Sequence, residues 1–113
     1  MSNILKNIEA EKALDMAALV SYQPGQIVSR TLVQNKAVSM TLFAFDGGEE
    51  ISSHESRGDA LVYVLDGKAQ LTIGGQEHVA AAGQTVVMPA NVAHAVSAPE
   101  PFKMLLVVVF PAE

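Results

Sequence analysis

From Gln26 onward the chain is cut by turn residues so often that only short strands fit between the cuts. Asn35-Lys36, Asp46-Gly47-Gly48, Asp66-Gly67, Gly74-Gly75, Gly83, Pro89-Ala90-Asn91 and Pro99-Glu100-Pro101 follow one another at strand-length intervals. Breaks at roughly 8–12-residue spacing point to an all-β sandwich or barrel. The pieces between them agree. Residues 27–33 and 38–45 are β-branched or alternating, with Val38, Met40, Leu42 and Ala44 on one face. A short strand surrounds Ile51, and residues 61–65 are apolar on both faces. Ala69, Leu71 and Ile73 alternate against Gln70 and Thr72. Residues 76–80, 86–88, 94–97 and 104–110 complete the set.

Before Gln26 the pattern differs. Ile4, Leu5, Ile8, Leu14, Ala18 and Leu19 fall loosely on helical spacing, which reads as a short helix or irregular arm. Gln23-Pro24-Gly25 closes it. The expected organisation is an arm over 1–25 and one β domain over 26–113. A total of 113 residues suits a single domain.

Charge and composition narrow the partners. The net charge is -5 and no basic stripe is present, which argues against nucleic acid and anionic membrane surfaces. With no cysteine, disulfides and thiolate metal sites are excluded. The N-terminus has no apolar core of signal-peptide length, and residues 104–110 are too short to span a bilayer as a helix. The expected location is the cytoplasm.

Residues 61–65 pose a packing question. Leu61, Tyr63 and Leu65 share one face while Val62 and Val64 share the other. One face of an antiparallel sandwich normally meets water. Here either the arm or a second copy must cover it, and the reading favours a homodimer.

All three histidines, His54, His78 and His94, lie within residues 48–94. Gly48, then His54 six positions on, then Gly67 thirteen further resembles the first motif of the cupin superfamily. Gly83, then Pro89 six positions on, then His94 resembles the second. The resemblance spans about residues 26–110. It implies a double-stranded β-helix, the jelly-roll cupin barrel, with a short N-terminal helix or arm, often a dimer, and a pocket in the barrel mouth. A metal-binding cupin presents His-x-His and Glu from its first motif and His from its second. In this chain those positions are His54, Ser56, Ala60 and His94. The glycine of the second motif is replaced by Asn91.

By that resemblance His54 and His94 are the metal candidates, an incomplete set. The implied cofactor is a divalent iron, manganese, nickel or zinc ion, or none. Asp59 and Glu55 each sit one residue from a ligand position, and in a strand they would point to the opposite face. The pocket reading takes His54, Ser56 and His94 as polar groups and Met40 and Met88 as adaptable apolar lining, with ordinary core packing as the alternative for the methionines. His78 reads as a solvated surface residue, as does Arg57. Three functions are compatible with these residues. One is a sensor or carrier for a small molecule with a reduced metal site. The second is a metal-dependent dioxygenase, isomerase or decarboxylase acting on a small organic acid or sugar derivative. The third is a metal-free isomerase or lyase with a histidine base.

Overall fold

The computed structural model describes residues 4–112; residues 1–3 of the expected arm and residue 113 of the expected barrel lie outside it. Nine strands form two sheets: β1 (Ile27–Gln34), β2 (Val38–Phe45), β3 (Glu50–His54), β4 (Asp59–Asp66), β5 (Lys68–Ile73), β6 (Gln76–Ala81), β7 (Thr85–Met88), β8 (His94–Ser97) and β9 (Phe102–Val109). The five-stranded sheet runs β1-β2-β9-β4-β7, and the four-stranded sheet runs β3-β8-β5-β6. All strand pairs are antiparallel. This is the all-β architecture expected from the turn spacing, in the jelly-roll form that the cupin resemblance implies.

The turns form where the sequence places them. Gly67 has φ +71 between β4 and β5. A Cβ there would lie 2.2 Å from the Pro101 carbonyl oxygen and 3.0 Å from Phe102 Cα, so only glycine fits. Asn35 closes the β1–β2 hairpin from its side chain, accepting from the amides of Ala37 at 2.8 Å and Val38 at 3.0 Å.

Alternation along the strands divides the apolar residues into two clusters. Between the sheets lie Phe45, Val62, Val64, Leu71, Phe102 and Met104, all buried. Phe45 and Phe102 stack with centroids 4.6 Å apart. On the outer face of the five-stranded sheet, Val20, Leu32, Leu42 and Ala44 form a second cluster with Ile8, Met16, Leu19, Tyr22, Met40, Leu65 and Leu105. Strands apolar on both faces thus serve two cores, one of them roofed by the arm.

Of the two expected forms, short helix or irregular arm, the arm takes the irregular one. Asn7 and Glu11 adopt left-handed φ of 60 and 62, which interrupts any helix. Only Met16–Leu19 forms a turn, of 3₁₀ type, capped by the Asp15 carboxylate. Ile4, Leu5 and Leu14 stay exposed. The arm is held instead by polar contacts with the barrel. The Lys6 amide donates to the Leu32 carbonyl at 2.7 Å and the Asn7 side-chain amide to the Thr31 carbonyl at 2.8 Å. The Arg30 guanidinium donates to Leu19 and the Lys103 ammonium to Ala17. The Tyr22 hydroxyl donates to Asp66, and burial together with that bond pushes the phenol above its ordinary value.

The roof is incomplete. In register across the sheet, Met40 pairs with Val107, Val107 with Leu61 and Leu61 with Val87. Leu61, Tyr63, Val87 and Val109 remain exposed on that face.

Candidate functional site

The site is built by one cross-strand pair. His54 ends β3 and His94 begins β8, and the two are direct partners in the antiparallel ladder. Directly opposite residues have adjacent side chains. Their Nε2 atoms meet at 3.2 Å, with the rings edge to face and centroids 4.3 Å apart. His94 is buried, 4% exposed, whereas His54 is open to solvent.

The loops on either side are tied together. Asn91 adopts φ 62, the left-handed region that asparagine tolerates better than most residues, and so takes the place of a glycine. Its amide donates to the Ser56 carbonyl at 2.7 Å. The Ser56 hydroxyl accepts from the Gly58 amide at 3.1 Å. These contacts join the two histidine-bearing loops.

Behind the pair lies a cavity of about 360 Å³ between the two sheets. His54, Ser56, Ala60, Met88 and His94 all line it. The positions of the two replaced ligands, Ser56 and Ala60, therefore face the same space as the histidines. The remaining walls are Phe43, Ile51, Val96, Met104, Leu106 and Val108. These escaped the sequence reading because alternation places them inward without separating cavity from core. A larger groove of about 430 Å³ between the arm and residues 31–35 has no histidine or carboxylate in its lining, so the smaller cavity is the candidate site.

Two expectations need correction. Met40 does not line this cavity. It sits on the opposite face of β2, in the cluster under the arm, because Phe43 and Phe45 take the inward positions. Glu55 does line it, against the alternation argument, because β3 stops at His54 and residue 55 belongs to a loop. Arg57 is exposed at the surface, as expected, with its guanidinium 5.4 Å from the centre of the Phe110 ring. Asp59 points away from the cavity, as alternation predicts, and its carboxylate accepts from the Ala90 amide at 2.8 Å. His78 lies exposed on β6.

The donor set can be tested against a metal. Two imidazole nitrogens 3.2 Å apart have the spacing of neighbouring ligands on one ion, about 3.0–3.4 Å for bonds near 2.1 Å. Catalytic metal sites keep about three protein ligands. Ala60 offers no donor and Ser56 only a neutral hydroxyl already engaged by Gly58. Among the described residues no group of three or more His, Cys, Asp or Glu converges. These residues do not fit a resident metal.

Comparison with known proteins agrees with this architecture. The chain is similar to a conserved protein of unknown function from Streptococcus pyogenes, with 46% identity, 99% of this chain and 98% of that one covered, and a TM-score of 0.96. It is also similar to a cupin superfamily protein from Desulfitobacterium hafniense, at 33% identity, 95% and 98% coverage and a TM-score of 0.90. A cupin 2 conserved barrel domain protein from Leptotrichia buccalis shares 42% identity over 85% of this chain and 47% of its own, with a TM-score of 0.83. The sequence profile of the cupin domain family matches residues 41–110, so with its two motifs and its jelly-roll barrel this chain belongs to the cupin domain family.

Proposed function

We propose that this protein binds a small, largely apolar molecule in the barrel cavity and serves as a carrier or sensor in the cytoplasm. The observation that carries the reading is the paired histidines, with Ser56 and Glu55 beside them, on a cavity whose other walls are hydrocarbon. Ligand sites are typically apolar with a few convergent polar groups, and about 360 Å³ lies at the small end of their range. The walls supply affinity and the histidines fix orientation. A resident metal is not needed for either task, which favours this reading over a metal-dependent enzyme. A homodimer, paired through the uncovered outer face of the five-stranded sheet, is part of the same proposal.

The test is a fragment screen by thermal shift on wild type and on Met88→Trp, which would fill the cavity. Ligands that bind the folded state raise the melting temperature. Stabilising fragments that lose their effect in Met88→Trp are expected. Fragments that stabilise both proteins equally would place binding elsewhere and overturn the proposal.

A further inference from the structure

The hydrogen-bond protons at the histidine pair do not balance. His54 Nδ1 lies 3.0 Å from the Ser52 carbonyl oxygen and His94 Nδ1 lies 3.2 Å from the Val92 carbonyl oxygen. A carbonyl only accepts, so each Nδ1 must carry the proton. A neutral imidazole has one ring proton, and each ring has then used it. Both Nε2 atoms are left as acceptors, and they face each other at 3.2 Å. The contact between them has no proton of its own. His94 is buried, where an unmet acceptor is costly.

What such a pair accepts is a donor from outside the chain. The rest of the cavity sharpens this. Its charged wall residue is Glu55, a carboxylate, and neither lysine nor arginine lines it. The Arg57 guanidinium lies 5.4 Å from the centre of the Phe110 ring. The whole chain carries -5. The two Nε2 atoms and the Glu55 carboxylate therefore present electron density to a ligand whose body meets hydrocarbon.

We propose that the cavity takes a small organic amine in its ammonium form, with an apolar body and a cationic head seated between His54 and His94. This rests on the binding reading above and gives it a chemical class. An ammonium nitrogen about 2.9 Å from both Nε2 atoms makes two ordinary hydrogen bonds. The remaining N–H faces the cavity mouth, where the charged wall residue is Glu55. A carboxylate head would instead meet two lone pairs and a like charge.

Calorimetric titration with three probes of one aromatic body tests the class: 2-phenylethylamine, 2-phenylethanol and 3-phenylpropanoate, at neutral pH. There the amine is cationic and the acid anionic. The expected order is amine, then alcohol at least tenfold weaker, with the acid undetected. Glu55→Gln should cut the preference for amine over alcohol severalfold, and His54→Ala should remove it while the alcohol still binds. Both positions are solvent-exposed, so neither change threatens the core. Equal binding of amine and alcohol overturns the ammonium assignment and leaves the binding reading standing, as does tighter binding of the acid. Binding of Ni²⁺ alone at one equivalent, with no amine binding, assigns the lone pairs to a metal cation and overturns the amine. No binding by any probe overturns both readings.

Discussion

Two residues decide what the site can hold, and neither is a histidine. Ser56 and Ala60 face the cavity at the places where a metal-binding cupin would present His and Glu. The backbone positions for four ligands are thus present while the side chains for two are missing. Restoring them should restore the metal. In Ser56→His with Ala60→Glu, elemental analysis of protein purified without chelator or metal-affinity tag should find close to one divalent transition metal per chain. Wild type should hold only a small fraction of that. Equal metal in both proteins would mean that the two positions do not complete a site. The site residues were partly legible in the sequence because motif spacing reports backbone position. His54, Ser56, Met88 and His94 all line the cavity. Met40 was misplaced because methionine fits a pocket wall and a core equally well, and only the two-sided burial of β2 tells them apart. Glu55 was missed because alternation holds only while a strand continues, and β3 ends one residue before it.

At the scale of elements, two contacts hold the site's scaffold in register. Gly67 lets the β4–β5 turn press against the start of β9, with the Pro101 carbonyl where a methyl would go. Gly67→Ala meets both this clash and a positive φ, and should cost about 3 kcal/mol or more. Denaturant melts read this directly, and a loss below about 1 kcal/mol would show that the turn relaxes. The arm offers a pH-dependent contact. The Tyr22 phenol is raised above its ordinary value of 10.0, first by burial and then by its bond to Asp66. A proton held more tightly by the folded state stabilises it below the unfolded value, and the gain is lost as pH rises. Wild type should therefore lose stability relative to Tyr22→Phe as pH climbs from about 9 past 10, when phenols in the unfolded chain begin to ionise. Parallel melting curves for the two proteins over that window would disprove the contribution. The strands were readable because alternation and turn residues are local signals. The arm was legible only as a short helix or irregular arm, and it is the irregular form, because its six apolar residues satisfy a helical period loosely while Asn7 and Glu11 turn left-handed. Its conformation is set by what it covers.

The whole molecule leaves part of one sheet face uncovered, at Leu61, Tyr63, Val87 and Val109. The row from Met40 through Val107 and Leu61 to Val87 crosses four strands and contains no charge. Asp59 stands at the rim of that face, its carboxylate engaged by the Ala90 amide. A contiguous apolar patch of this kind marks an interaction surface. A second copy is the occupant that the charge favours. Two chains of -5 repel each other over most orientations, and a charge-free face is where they can approach at least cost. A two-fold pairing would set the row against itself, since an isologous interface uses the same patch on both subunits. Salt should tighten such a dimer by screening the repulsion around it. Light scattering at micromolar concentration should therefore give twice the mass of 11.9 kDa, with the monomer fraction falling as ionic strength rises. Leu61→Glu with Val87→Glu should yield a monomer. Because Leu61 is 38% and Val87 52% exposed in the single chain, the monomer should still fold and still bind its cavity ligand. A wild type that is monomeric across this range would leave the apolar row without a partner of its own kind. The patch would then belong to a different protein, and the arm would be the only cover this fold supplies for itself.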